Sequence, residues 1–215
     1  MKINFLGDSI TEGYPLKNID KECYTSIIRD KLKITVNSYG IGGTRIARQD
    51  DDHIYSKNDF NKRVKEIDPT ANFTFVFGGT NDYGHGSAII GNINDETLYT
   101  FYGAMKNLVK ELLKMFKKEN ICFIIPLPRF NEDDPLGDGN KDKNVKNFPL
   151  SEYRKVMKEI LDINKIDYLD FCDKFPRPPK EESEYFADGL HPNVKGHELL
   201  ADLIIDYLKK KKIVQ

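Results

Sequence analysis

Ser9 stands in Phe5-Leu6-Gly7-Asp8-Ser9-Ile10-Thr11-Glu12-Gly13, where an apolar run gives way at once to a glycine-flanked serine. That is how a nucleophile is mounted at the carboxyl end of a first β-strand. Near the other end, Asp188-Gly189-Leu190-His191-Pro192-Asn193 sets an acid three residues before a histidine. A serine hydroxyl attacks poorly until a base takes its proton. A histidine does so near neutral pH, and a carboxylate fixes its tautomer and steadies the imidazolium. One tight turn, eased by Gly189, can bring the Asp188 carboxylate to the His191 ring. Ser9, Asp188 and His191 are therefore the parts needed for acyl transfer through a serine.

Such chemistry also needs donors for the oxygen that becomes negative in the tetrahedral intermediate. Tyr39-Gly40-Ile41-Gly42-Gly43-Thr44 and Gly78-Gly79-Thr80-Asn81-Asp82-Tyr83 are the glycine-rich candidates. Gly43 can turn its N–H into a site, Asn81 adds a side-chain amide, and Ser9 adds its own N–H. Arg45, Tyr83 and His85, on the same two loops, are the candidate substrate-binding side chains. Asp8 and Asp82 are read as braces for their own loops. His53, after Asp50-Asp51-Asp52, reads as part of a solvated turn rather than a metal ligand, and His197 as structural. The chemistry calls for no metal and no cofactor.

The elements that must position these residues alternate between apolar strands and amphipathic helices. Lys2–Leu6, Ile34–Ser38, Phe73–Phe77, Ile121–Ile125 and Tyr168–Phe171 read as strands. Cys23–Leu32 and Tyr153–Ile163 read as helices. From Leu98 to Phe116, apolar residues recur at three- and four-residue steps, which makes one buried helical face. Asn193 is placed to cap a last helix carrying Leu199, Leu200, Leu203, Ile204 and Tyr207. Strands joined by helices make a parallel sheet covered on both faces, with active residues at the carboxyl ends of its strands.

The 215 residues suit one domain, with no internal repeat and no linker. With 33 basic and 34 acidic residues the net charge is −1, so neither nucleic acid nor an anionic membrane is expected as a partner. Lys209–Lys212 reads as a solvated last helical turn. Cys23, Cys122 and Cys172 are odd in number and form no C-x-x-C pair, which argues against disulfides and zinc. With no signal-like core and no membrane-length apolar run, the expectation is a cytoplasmic protein. Residues 129–149 form a polar stretch too long for an ordinary connection. It leaves a strand end beside the expected site, so it is either a surface loop or a lid and substrate wall. Its acidic residues do not meet calcium-loop spacing.

Taken in order, the Gly7-Asp8-Ser9-Ile10 block, Gly43, Asn81 within Gly79-Thr80-Asn81-Asp82, and Asp188-x-x-His191 with Pro192 resemble the SGNH (GDSL-type) hydrolase superfamily. The four blocks span almost the whole chain. The resemblance implies a three-layer α/β/α, flavodoxin-like fold with a five-stranded parallel sheet. It also implies metal-free ester hydrolysis with Ser9, Asp188 and His191 as the triad and Ser9, Gly43 and Asn81 as the oxyanion hole. Thr44 follows Gly43 where many members carry aspartate, which leaves the choice between Gly42 and Gly43 open. The superfamily acts on acetylated sugars, lipids, thioesters and small esters. The polar 129–149 stretch favours a small ester, a short acyl group on a polar alcohol such as a carbohydrate. An acyltransferase on the same machinery is the first alternative. A flavodoxin-like binding module is the second, though no phosphate-cradling G-x-x-x-x-G-K-[ST] is present.

Overall fold

The computed structural model describes residues 1–49, 58–138 and 148–214. Strand β1 (Lys2–Gly7) runs into a four-residue helix, α1 (Ser9–Glu12). Helices α2 (Ile19–Glu22) and α3 (Tyr24–Leu32) lead to β2 (Thr35–Gly40), and α4 (Phe60–Arg63) precedes β3 (Phe73–Phe77). The short α5 (Thr80–Gly84) follows, then α6 (Phe101–Met115) and β4 (Ile121–Ile124). Helix α7 (Leu150–Asn164), β5 (Asp167–Leu169) and α8 (Val194–Lys210) complete the chain. The strands form one sheet in the order β2-β1-β3-β4-β5, and every pairing is parallel.

Side chains alternate across the strands, and each face has its own core. Phe73, Phe75 and Phe77 of β3 face α3 and α8, together with Ile3 and Phe5 of β1 and Cys122 and Ile124 of β4. Phe5 stacks on Phe75 at 4.9 Å. Leu6, Val76, Ile121 and Phe123 face the other way, onto α4, α6 and α7. Because β1, β3 and β4 are covered on both sides, their sequences are near-continuous apolar runs. Helix α6 starts where the Thr100 hydroxyl accepts the Gly103 N–H, and it buries Phe101, Met105, Leu108 and Leu112. Asn193 caps α8 as its sequence suggests, accepting the Gly196 N–H at 3.0 Å. No helix among the described residues is long and apolar enough to cross a membrane.

The chain leaves β1 for β2 on one side and returns to β3 on the other. The loops after β1 and β3 therefore diverge, and a crevice opens at the carboxyl ends of the strands. Helix α1 occupies its floor. The Asp8 side chain accepts the Ile10 N–H, and Gly13 ends the helix at φ 95°. The helix lies so close on the end of β2 that a Cβ at Gly40 would come within 2.1 Å of the Glu12 backbone nitrogen.

That contact is backbone against backbone, so neither side can turn away. Gly40→Ala is expected to lower the unfolding free energy by about 2–3 kcal/mol in urea titrations, through overpacking. An unchanged urea midpoint would show that α1 can lift off β2 at little cost.

Candidate active site

Ser9 is the first residue of α1, and His191 lies in the loop before α8. The fold closes a sequence separation of 182. Ser9 Oγ is 3.0 Å from His191 Nε2. His191 Nδ1 is 2.9 Å from Asp188 Oδ2. The other carboxylate oxygen, Asp188 Oδ1, accepts the backbone N–H groups of Leu190 and His191, both at 2.7 Å. One oxygen thus shapes the turn while the other holds the ring. Burial alone would raise the Asp188 carboxyl, but its bonds from the His191 ring and backbone outweigh that and hold it at about 2. Asp188 is therefore an acceptor at any ordinary pH. The Nδ1 proton stays between ring and carboxylate, and Nε2 offers a lone pair to the Ser9 hydroxyl.

Ser9, Gly43 and Asn81, the three expected donors, line one cavity. The Ser9 and Gly43 N–H groups have no acceptor among the described residues. Asn81 Nδ2 gives one hydrogen to the Thr44 carbonyl at 3.0 Å, and its second is left over. Gly42 differs from Gly43 here. Its N–H is taken by Glu12 Oε2 at 3.0 Å, while Gly43 turns through φ 71°, a conformation open to glycine.

Two buried polar side chains, Arg63 and Asp82, hold these loops in place. Arg63, only 3% exposed, donates to the Gly7 and Tyr39 carbonyls and the Thr44 hydroxyl. It thereby ties the ends of β1 and β2 to the loop carrying Gly43. Asp82 accepts the N–H groups of Ile46 and Ala47 at 2.9 and 2.8 Å, so it braces the loop after β2 rather than its own. Burial pushes its carboxyl up to about 7 against those two bonds. Asp8 does brace its own turn, at Ile10 N, and burial pushes it up to about 6.

The resulting cavity encloses about 550 Å3 and is lined by Ser9, Gly43, Asn81, His191 and their neighbours. Of the three expected substrate-binding side chains, His85 lines it. Arg45 is buried behind His85, with Nη2 on the ring and on the His85 carbonyl. Tyr83 is fully buried, points away from the cavity, and donates its hydroxyl to the Asn131 and Asp134 carbonyls. Residues two apart on a helix point to nearly opposite sides, so Asn81 lines the cavity and Tyr83 does not.

Glu12, Tyr14, Leu190 and Asp138 are further lining residues that the sequence reading does not single out. Tyr14 packs its ring edge-on to His191, with centroids 4.7 Å apart. Its place five residues after Ser9, in the same turn, is the only signal for it. Asp138 comes from the described part of the long polar stretch, residues 129–138. That part is pinned to both sides of the site, by Phe130 N to Gly189 O at 2.7 Å and Asp138 N to Gly84 O at 2.8 Å. Residues 139–147 and His53 with Asp50–Asp52 lie outside the described residues. His197 is fully buried, stacks on Tyr24, and accepts the Tyr24 N–H on Nδ1. Burial pushes its pKa down to about 3, so it is neutral packing beneath the site.

A profile of the GDSL-like lipase/acylhydrolase family matches residues 5–199. A comparison with curated proteins finds no match. Among solved structures, a protein from Lactobacillus plantarum is similar at a TM-score of 0.78 and 23% identity, over 97% of this chain and 96% of its own. Est24, a carbohydrate acetylesterase from Sinorhizobium meliloti, gives 0.68 at 15% identity, over 97% and 98%. The acetyl xylan esterase AlAXEase gives 0.67 at 19% identity, over 97% and 100%. At these identities the likeness carries the fold, a parallel five-stranded sheet between helical layers.

Asp188→Asn separates shape from charge. The amide oxygen can still accept from Leu190 and His191, but an NH2 then faces Nδ1. The ring proton moves to Nε2, where it can no longer receive one from Ser9. Labelling of Ser9 by a fluorophosphonate is expected to slow by about 10³–10⁴-fold with the fold intact, as in triads that lose this charge. A near-normal labelling rate would show that the carboxylate only shapes the turn.

Proposed function

Because the chain belongs to the GDSL-like lipase/acylhydrolase family, and is accordingly a carboxylic ester hydrolase, we propose that Ser9 is its nucleophile, with His191 as base and Asp188 as orienter. The observation carrying this reading is the unbroken line of contacts from Ser9 Oγ through His191 to Asp188, at 3.0 and 2.9 Å. Ser9 Oγ attacks the ester carbonyl carbon while its proton passes to His191 Nε2. The carbonyl oxygen takes the negative charge, facing the N–H groups of Ser9 and Gly43 and the Asn81 amide. The intermediate collapses as His191 returns the proton to the departing alcohol, leaving an acyl-serine. Water then attacks the acyl carbon, gives its proton to His191, and the acid leaves as Ser9 Oγ recovers it.

The substrate reading is a short acyl group, such as acetyl, on a carbohydrate or other small polar alcohol. Glu12 and Asp138 supply carboxylate acceptors for hydroxyl groups. No Lys or Arg lines the cavity among the described residues, and the Glu12 carboxylate does, so an anionic ester would be disfavoured there. The names of two fold neighbours, a carbohydrate acetylesterase and an acetyl xylan esterase, agree with this reading.

Ser9→Ala is expected to abolish ester turnover and fluorophosphonate labelling without unfolding the protein. A substrate panel then decides the alcohol and acyl group. Acetylated xylo-oligosaccharides and p-nitrophenyl acetate should turn over far faster than p-nitrophenyl octanoate or an anionic acetyl ester. Preference for the octanoyl ester would replace the carbohydrate reading with a lipid one. Acetyl transfer to an added sugar in place of water would mark an acyltransferase.

A further inference from the structure

We propose that His85 is a positioning residue for the oxyanion donor, fixing the Asn81 amide in the one orientation that aims an N–H at the cavity. This rests on the reading of Ser9 and Asn81 given above. Arg45 is 4% exposed. A guanidinium has only donors. Its Nη2 lies 2.6 Å from His85 Nδ1 and 3.0 Å from the His85 carbonyl oxygen. Nδ1 must therefore present its lone pair, and the single proton of the neutral ring sits on Nε2. That nitrogen is 2.9 Å from Asn81 Oδ1, to which it donates.

The Thr44 carbonyl gives an independent check. It can only accept, and it lies 3.0 Å from Asn81 Nδ2. The reversed amide would set two donors together at His85 and two acceptors together at Thr44. Arg45, His85, Asn81 and Thr44 therefore form one directed chain, donor to acceptor at every link. Both hydrogen-bonding positions of the His85 ring are used in it, so what His85 presents to the cavity is ring edge.

The chain has a catalytic consequence. The last torsion of an asparagine is soft, and its amide turns over readily unless both ends are held. A flipped Asn81 would place a carbonyl oxygen beside the developing oxyanion, replacing attraction with repulsion. Donation into Oδ1 from His85 also polarises the amide and strengthens its remaining N–H as a donor. Neither effect needs His85 to touch the substrate.

The test is a double-mutant cycle on p-nitrophenyl acetate, with fluorophosphonate inactivation as a second readout. His85→Phe should lower kcat by about 10- to 100-fold with KM little changed, less than the roughly 10²–10³-fold cost of removing an oxyanion donor outright. His85→Gln, whose amide N–H can reach Asn81 Oδ1, should recover most of the loss. In an Asn81→Ala background, His85→Phe should cost nothing further, because its effect passes through Asn81. A loss confined to KM, or equal losses in both backgrounds, would overturn the proposal and make His85 a substrate contact or a structural residue. If the phenylalanine variant fails to fold, His85→Asn runs the same cycle, since it keeps a partner for Arg45 but falls short of Asn81. Ser9→Ala separates the two levels. Residual turnover there overturns the reading of the whole site, whereas an inactive Ser9→Ala with an additive cycle overturns only the role of His85.

Discussion

The buried guanidinium of Arg63 is the constraint on which the site depends. Three loops must meet at one end of the sheet, where the Gly7 carbonyl already accepts the Ile41 N–H at 3.2 Å and has room for a further donor. Arg63 donates to the Gly7 and Tyr39 carbonyls and to the Thr44 hydroxyl. Burial lowers its pKa, partly countered by Asp8, Glu66 and Glu12. Such a charge is costly to bury, and removing it would take a donor from three acceptors at once. What it secures is geometric. The end of β1 carries Ser9, the loop after β2 carries Gly43, and Asp82 then ties that second loop to the helix carrying Asn81. The donor set is thus built from three segments fastened pairwise by buried polar groups, not by hydrophobic contact alone.

The sheet is legible in the sequence because its central strands are buried on both faces. Phe73–Phe77 is apolar but for the buried Thr74 and is followed by Gly78, while Ile121–Ile124 is wholly apolar and its run ends at Pro126. Edge strands are less clear, and the β2 of the structure runs to Gly40, two residues past the apolar stretch that marks it. Helix α1 is not legible. At four residues it has no period to detect, and it exists because Asp8 caps it and Gly40 leaves it room. The proposed triad and donor residues are visible because their chemistry demands particular types in particular local settings.

The supporting shell is harder to read, and Arg63 shows why. Nothing in Asn61-Lys62-Arg63 says which basic residue turns inward, since the answer lies in acceptors far away in the chain. Asp82 reads locally as a brace for its own loop, yet its side chain accepts the N–H groups of Ile46 and Ala47. Arg45 and Tyr83 are neighbours of the right residues but point elsewhere, Arg45 into the back of His85 and Tyr83 toward Asn131. Sequence proximity to a site residue carries no information about direction unless the local backbone is known. Gly42 and Gly43 make the same point, because only the Glu12 carboxylate distinguishes their N–H groups.

The two ends of the reacting array are built on different electrostatic principles. At the histidine end a full charge is in place, since Asp188 stays ionised down to about pH 2 and faces the ring that becomes cationic. The second histidine nearby, His197, is held neutral by burial and so adds no competing positive charge. At the oxyanion end no cation lines the cavity among the described residues, and the donors are neutral amides. A lysine there would bind a resting anion as readily as a developing one. Oriented amides instead favour the charge chiefly where and when it forms, because their dipoles are fixed before the reaction begins. Arg45 acts from behind His85, and its influence on the cavity passes through the direction it imposes on hydrogen bonds.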